Sequence, residues 1–478
     1  MAQGDDGSEQ AVSWCNPIET RDGTLAADAK MVNCFIEGTP NGKAAVKRPG
    51  TVYTGAVTGL PQGLFGYNGT LYSINANTAF PFGSITGTAI PSPPAAGTPA
   101  VTLTSDNTVY PALVQFPNSL YTFNGTFTHV TDANYGPNVQ PGIAFLDGVY
   151  YVMDFSGKVL GSAINDATTW PALDFVAADQ TLGHGVSVAR HLNYVVAYYA
   201  KGIQLYYDAN SAPNGQGTAL GFVSSGTFRT GCANAYTIVE LSDSNFFVSN
   251  NATYGKSVQQ IDGITLTQIS TPFIEKILNS PAIQWEETQA FVWAFGVKMD
   301  GHSFYVLTLV DLNITLVYDM ATQTWQLWSS VVSGVEQFFA ARFYISNPAN
   351  NGNGGPGDYM QDTVTGRVMK FSPTTYVDAV GNINVTCVSP NYDWGTLNWK
   401  RFGVMNQIAD TVTTTVSVSF SDNDYQTFHA PRMIDLSTVR KQLRNCGSSR
   451  RRAWKLTHSD NTPLRLYDMK VSATGLPR

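Results

Sequence analysis

Leu64-Phe65-Gly66-Tyr67-Asn68-Gly69-Thr70-Leu71-Tyr72-Ser73-Ile74 sets the reading of the whole chain. Apolar and aromatic residues lead into Asn68-Gly69, and apolar residues alternating with small ones lead out. Asn-Gly between alternating runs is the strongest short-range hairpin signal, because both residues accept the positive φ of a type I′ turn. Working outward, looser copies follow. Residues 112–116 and 120–123 flank Pro117-Asn118, and residues 143–146 and 149–152 flank Asp147-Gly148. A further return runs through 157–160, with Trp170 close behind. Residues 194–199 and 203–207 flank Lys201-Gly202. Residues 246–249 pair by pattern with 257–261, and 304–309 with 314–319, a unit closed by Trp325 and Trp328. Met360 with 367–371 makes the last copy.

The copies recur at roughly thirty to fifty-odd residues, about the length of a four-stranded blade. The expectation is an all-β chain with an irregular β-propeller of about six blades, the spacing not separating six from seven. A series of β-sandwiches could use the same hairpins and stays open as an alternative. Trp170, Trp325 and Trp328 are candidates to seal blade against blade, as any core Trp would. One stretch reads as helix, near 272–278. Pro272 follows Thr271, and Phe273/Ile277 and Ile274/Leu278 recur at helical spacing. Residues 350–357 are Gly- and Asn-rich and read as a loop.

Composition agrees with this pattern. Of 478 residues, 13% are charged, 25 are Phe, 23 Tyr and 43 Gly. Low charge with many aromatic, Thr and turn residues suits an all-β protein and argues against disorder. The net charge of −7 is unevenly spread. Residues 400–478 hold 13 Lys and Arg against 6 Asp and Glu, a balance of +7, which leaves −14 for residues 1–399. Two surfaces with different partners are one reading, and an ordinary solvated face on the last domain is the other. From about residue 381 the texture changes to longer alternating strands, 411–420 above all, ending in 452–456 and 464–467. The expected organisation is an N-terminal segment 1–55, a propeller 56–380 and a C-terminal antiparallel sandwich 381–478.

Five cysteines, none in a CxxC pair, fit buried thiols in a reducing compartment better than a disulfide framework or a metal site. Residues 1–10 are acidic and polar, which predicts no signal peptide. No apolar run approaches the ~20 residues of a membrane helix.

None of the common catalytic motifs is complete. Gly255-Lys256-Ser257 carries the letters of a phosphate loop, but Asn250 stands where the loop needs its first Gly. Residues 352–357 match GxGxxG without a strand-then-helix context. Neither HExxH nor GxSxG occurs, and the six histidines are scattered. No catalytic residue, metal ligand or cofactor follows from the sequence. Ser421-Asp422-Asn423-Asp424-Tyr425-Gln426-Thr427-Phe428 resembles a degenerate Asp-box, the hairpin of sialidase-like propellers. Asn423 stands at the acid position, Tyr425 at the Gly and Phe428 at the Trp. That hairpin is structural, and a glycosidase would need a carboxylate pair across a cleft. The dense basic cluster is Arg444, Arg450, Arg451, Arg452 and Lys455, interrupted by Trp454. It reads as a contact with a neighbouring subunit or an adaptor, with nucleic-acid contact as the alternative.

The two ends also carry a family resemblance. Ser421 to Phe428, Ala430-Pro431-Arg432, the run from Arg450 to Asp460, and Pro463-Leu464-Arg465-Leu466 resemble the tail of the packaged-DNA stabilisation proteins of short-tailed bacteriophages, also called tail hub or nozzle proteins. Val32-Asn33-Cys34-Phe35-Ile36-Glu37 and Lys47-Arg48-Pro49-Gly50-Thr51 are similar to the family's opening. Ile274-Glu275-Lys276-Ile277-Leu278 is similar to a run found mid-chain in some members. The resemblance implies a propeller body with a β-sandwich-like platform built from the two termini. It implies a homo-oligomeric ring, usually a hexamer, below the portal and its adaptor. It also implies a channel for double-stranded DNA and docking of tail spikes or fibres. Virion location after assembly in the host cytoplasm, and no enzyme activity, complete the expectation. The rival readings are a carbohydrate-binding or glycosidase-like propeller adhesin and a soluble scaffold with no viral role.

Overall fold

The computed structural model describes residues 8–18, 28–40, 42–105, 107–177, 180–210, 219–285, 291–347 and 357–476. The 350–356 part of the Gly/Asn-rich loop lies outside them. The chain divides into two compact units, one of residues 1–52, 313–339 and 371–478, the other of residues 53–312 and 340–370. The boundaries 1–55, 56–380 and 381–478 drawn from the sequence differ from these. Residues 313–339 cluster with the termini because Thr324–Val332 runs parallel to Lys30–Val32, with Val32 opposite Leu327. The sequence pattern of 313–339 is that of any blade hairpin and does not disclose this pairing.

The 53–312/340–370 unit is the β-propeller. Its first sheet is built on the opening hairpin: Pro61–Tyr67 and Thr70–Asn75 pair with Phe65 opposite Tyr72, and Thr78–Pro81 and Thr88–Ala89 follow. Asn68 at φ 45° and Gly69 at φ 70° make the turn that their side chains favour. Asp147 at 48° and Gly148 at 86° repeat it. Four-stranded antiparallel sheets start from Val101–Thr104, Ala144–Leu146 and Gly185–His191. Val239–Leu241, Val292–Met299 and Ala341–Asn347 begin the later ones. Segments at or beside these seven inner strands line one central cavity of about 760 Å³. The propeller expected from the sequence is therefore present, and the sandwich series is not needed.

Aromatic packing seals neighbouring blades. Phe65 of the first sheet meets Phe123 of the second edge-on at 5.1 Å. Trp170 is buried with Leu113 and Leu120 of the second sheet and Tyr150 and Val152 of the third, its indole N–H donating to the Ala167 carbonyl at 3.0 Å. Each such ring removes upward of ~150 Å² from water, and at ~25 cal/mol per Å² that is several kcal/mol per seal. Gln361 fastens the last blade to the first. Its side-chain carbonyl accepts from the Gly63 N–H at 3.1 Å, and its amide donates to the Ile74 carbonyl at 3.2 Å and to Asn75 Oδ1 at 2.8 Å. The helix Pro272–Leu278 forms as read, with Thr271 as N-cap and Pro at its first turn. Phe273, Ile274 and Leu278 are its buried side.

Lys201-Gly202 differs from the reading. Tyr194–Tyr199 and Ile203–Asp208 pair, but the linker takes three residues and Gly202 has no positive φ. Gly202 is there for space: a Cβ would fall 2.4 Å from Leu182 Cδ2 and 2.9 Å from the Phe228 carbonyl oxygen.

The other unit holds two sheets over one core. Ser8–Val12, Cys34–Thr39, Gly42–Lys47, Lys400–Ala409, Gln442–Arg444 and Arg465–Gly475 belong to one sheet. Lys30–Val32, Val385–Val388, Thr415–Ser421, Arg432–Asp435 and Ala453–His458 belong to the other. Trp14, Cys34, Phe402, Trp454, Leu456 and Val471 are among the buried side chains between them.

Candidate functional site

The basic cluster sits on the strand Ala453–His458 and the residues before it, with Arg444 on Gln442–Arg444 of the other sheet. The structure separates its members. Arg452 is fully buried. Its Nε donates to Asp422 Oδ1 at 2.7 Å and its Nη2 to Asp422 Oδ2 at 2.9 Å, while Nη1 donates to the Cys446 carbonyl. Phe420 at 3.8 Å and Phe402 at 4.3 Å lie against the guanidinium. Arg452 is thus an internal cation, which corrects its placement among surface contact residues. A run of three arginines gives no hint of this, because the neutralising carboxylate lies 30 residues upstream.

Arg451 is half-exposed and pairs with Asp424. Arg450 is exposed, stacks over Trp399 at 5.8 Å and has no acidic partner among the described residues. Arg444 is exposed too; its backbone carbonyl accepts from Arg432 Nη2 at 2.7 Å, and its side chain has no acidic partner among the described residues. Lys455 is half-buried, its ammonium 5.4 Å from the Phe428 ring. The free positive charge of the cluster is therefore carried by Arg444, Arg450 and Lys455.

The Asp-box-like hairpin is what neutralises the rest. Asn423 Oδ1 accepts from the Thr427 N–H at 3.0 Å and from the Ser421 hydroxyl at 3.0 Å. Ser421 Oγ in turn accepts from the Tyr425 N–H at 3.0 Å. Asp424 at φ 57° and Tyr425 at φ 65° close the loop. An amide oxygen thus does the turn-forming work of a carboxylate, the usual role of Asn in loops. Asp422 and Asp424 project to Arg452 and Arg451. The hairpin is a structural clamp here.

Sequence reasoning missed the polar centre of this unit. Arg48 is buried, and all five of its N–H donors are used. They reach Asp378 Oδ1 at 2.8 Å, Asp378 Oδ2 at 2.6 Å, Asn33 Oδ1 at 3.0 Å, the Ser329 carbonyl at 2.9 Å and the Pro49 carbonyl at 3.2 Å. Asn33, at φ 59°, also accepts from the Ser329 N–H at 2.9 Å and donates to the Asn384 carbonyl at 2.8 Å. Beside it Lys47 donates to the Asp460 carbonyl at 2.8 Å, and burial pulls its pKa down to about 8. His458 lies against Thr414 Oγ1 at 3.0 Å, and burial holds it down to about 4. Asn33, Lys47 and Arg48 come from the N-terminal stretches that carried the resemblance, and His458 and Asp460 from the C-terminal one. The signal was present as motif letters without a partner to assign.

Among the described residues no group of three or more His, Cys, Asp or Glu is placed to hold a metal. All five cysteines are free thiols, four of them buried. Burial pushes Cys15 up to about 12, the opposite of an activated nucleophile. Among the described residues, no helix is long and apolar enough to cross a membrane.

Fold and comparison agree on a phage structural β-propeller. The family model described as Bacteriophage P22 Gp10, beta-propeller, of the phage stabilisation family, matches residues 44–354. The chain belongs to this family of phage packaged-DNA stabilisation, or tail hub, proteins. It is a phage tail structural protein. No curated protein matches it in sequence. Among solved structures, the computationally designed Ika8 protein matches with 11% identity and a TM-score of 0.37, over 72% of this chain and 96% of that one. BBS1N, solved in complex with ARL6DN, matches at 7% identity and a TM-score of 0.38, over 73% and 98%. An exo-beta-1,3-galactanase from Phanerochaete chrysosporium matches at 11% identity and a TM-score of 0.26, over 89% and 100%. Likeness of this degree carries no argument about function.

Proposed function

We propose that this chain is the nozzle or hub subunit of a phage tail. Six copies form a ring below the portal and its adaptor, enclose the channel for double-stranded DNA, retain the packaged genome and dock tail spikes or fibres. The reading places the protein in the virion after assembly in the host cytoplasm, with no catalytic role. Membership of the Gp10 family carries it. The charge distribution supports it: residues 1–399 balance at −14, and an acidic wall lets DNA slide where a basic one would hold it. Arg444, Arg450 and Lys455 are the residues we assign to the subunit or adaptor contact. Arg451, already paired, has a secondary part.

Immunogold labelling of virions, with electron microscopy of the protein alone and with its portal–adaptor complex, tests the reading. The expected result is label at the tail below the portal and closed rings with an axial channel. Label elsewhere on the particle, together with a glycan-binding monomer that ignores the adaptor, would establish the carbohydrate-binding alternative instead.

A further inference from the structure

Leu397, Trp399 and Leu476 are 68%, 50% and 40% exposed, while Trp14 and Trp454 of the same unit are fully buried. The Leu476 N–H donates to the Trp399 carbonyl at 2.9 Å, which brings these two residues side by side. The Arg450 guanidinium lies 5.8 Å from the Trp399 ring. Arg401, on the strand Lys400–Ala409, is exposed and, like Arg450, has no acidic partner among the described residues. Trp and Arg among open apolar side chains are the composition of a protein-binding hot spot.

The loop that presents these residues is held from inside. Lys400 is 3% exposed, and its ammonium donates to the carbonyls of Thr396 at 2.6 Å, Asn398 at 2.7 Å and Arg450 at 2.7 Å, using all three of its donors. The first two carbonyls stand on either side of Leu397, and the third belongs to the arginine beside Trp399. Trp394, a bulky residue at φ 53° in the left-handed region, has its ring against Phe402 at 4.8 Å. Asp393, the one carboxylate of residues 393–399, accepts from the Gly395 N–H at 2.9 Å. Burying an ammonium is costly and adds no apolar contact to the core. What it does here is fix the backbone that carries Leu397, Trp399 and Arg450, which removes ordering cost from association.

Shape and charge select the occupant. Nucleic acid could stack on Trp399 and pair with the arginines, but Leu397 and Leu476 offer it nothing, so the patch favours polypeptide. The propeller unit, residues 53–312 and 340–370, holds 10 Lys and Arg against 18 Asp and Glu, a balance of −8. A ring is closed by heterologous contacts, in which one face meets a different face of the next copy. We propose that Leu397, Trp399 and Leu476, flanked by Arg401 and Arg450, dock on the acidic propeller unit of a second copy of this chain. The contact rests on the ring reading above and joins two unlike faces, an apolar patch rimmed by cations and an acidic propeller.

The test places the photo-crosslinking residue benzoylphenylalanine at position 397 of the full chain. Heavy-isotope and ordinary copies are mixed, alone and with the portal–adaptor complex, and crosslinked peptides are read by mass spectrometry beside electron microscopy of the same samples. A parallel arm adds a short DNA duplex. The expected result is heavy–light crosslinks ending in residues 53–312 or 340–370. Trp399→Ala should weaken assembly about tenfold or more in sedimentation velocity, with melting unchanged. Val439→Ser, at a 98% exposed valine, should leave assembly as it is. Crosslinks to the adaptor or to DNA in place of a second copy overturn the proposed occupant. Heavy–light crosslinks confined to the other unit overturn the pairing of faces. Rings without crosslinks from position 397, or Trp399→Ala assembling like wild type, overturn the patch and leave the ring reading standing. Absence of any ring overturns both. The crosslinks are read with Trp399 in place, so a poorly folding Trp399→Ala does not shelter the proposal.

Discussion

Arg48 and Asp378, 330 residues apart, form a two-pronged ion pair with side chains essentially excluded from water, and the remaining donors of Arg48 are consumed by Asn33 and two carbonyls. The pair joins the chain just after its first hairpin to the segment that follows residue 371, within the unit built from both termini. A pair of this kind stabilises only as a whole, because desolvation of each charge is offset by the other. Arg48→Met and Asp378→Asn should each cost about 3–5 kcal/mol. Arg48→Met combined with Asp378→Leu should cost less than the sum of the singles. Urea unfolding followed by tryptophan fluorescence measures both. Single substitutions costing under ~1 kcal/mol would show that the pair is replaceable by water.

His458 and Lys47 give the same unit a pH dependence with one sign. Folded His458 resists protonation until about pH 4, down from 6.5, chiefly through burial and then through the nearby Lys47 charge. Its Nδ1 is buried without a partner among the described residues, so a proton there would be a dry charge. Between those values the unfolded chain binds more protons, so stability falls on acidification from ~6.5 to ~4. Lys47, lowered from 10.5 to about 8 chiefly by burial, acts alike at alkaline pH: stability should rise from ~8 to ~10.5. His458→Gln should flatten the acid step and leave the alkaline one. Stability profiles of wild type and variant running parallel from pH 4 to 7 would refute the assignment.

Gly69 and Gly202 occupy similar letters in similar hairpins and should respond differently to alanine. Gly69 has φ 70° on an exposed turn, so Gly69→Ala should cost about 1–2 kcal/mol of left-handed backbone. Gly202 has an ordinary φ but no room, with a backbone oxygen 2.9 Å from the new Cβ. Gly202→Ala should cost as much or more, up to ~3 kcal/mol, by overpacking. Calorimetric melting of the two variants tests the order.

That contrast marks what the sequence discloses. Asn68-Gly69 and Asp147-Gly148 were legible because the turn needs only the conformational freedom of its own two residues. Lys201-Gly202 was misread because a packing requirement, set by Leu182 and Phe228, writes the same letter as a turn requirement. The helix at Pro272–Leu278 was legible for the same local reason as the turns, an N-cap and a Pro in place. The site was far less legible. Arg48 needs Asp378 and Arg452 needs Asp422, and each pairing is fixed by tertiary folding. A basic run read alone overstates its own surface charge.

Asn423 tests whether the Asp-box-like hairpin is a clamp. Asn423→Ala removes the acceptor of the Thr427 N–H and of the Ser421 hydroxyl. It should cost about 1–2 kcal/mol. Asn423→Asp keeps both acceptances and should come within ~0.5 kcal/mol of wild type. Equal losses in the two variants would mean that the loop is held by Asp422 and Asp424 instead.

The basic cluster yields the sharpest division, because its members differ in burial and in pairing. Arg452→Ala takes both guanidinium bonds from Asp422, leaving His429 Nε2 at 3.3 Å beside it, and empties the space between Phe402 and Phe420, so it should lower stability by about 3 kcal/mol or more and disturb every downstream property. Arg444→Ala with Arg450→Ala removes two exposed cations that hold no carboxylate among the described residues, so melting should move by less than ~0.5 kcal/mol equivalent. If these residues meet an acidic face on a neighbouring subunit or an adaptor, the double variant should assemble several-fold more weakly, and more so at low salt than at high, since exposed charge pairs are screened. Sedimentation velocity with and without the adaptor, at two ionic strengths, measures this directly. Unaltered assembly at both salt concentrations, with folding intact, would move the contact surface away from this strand.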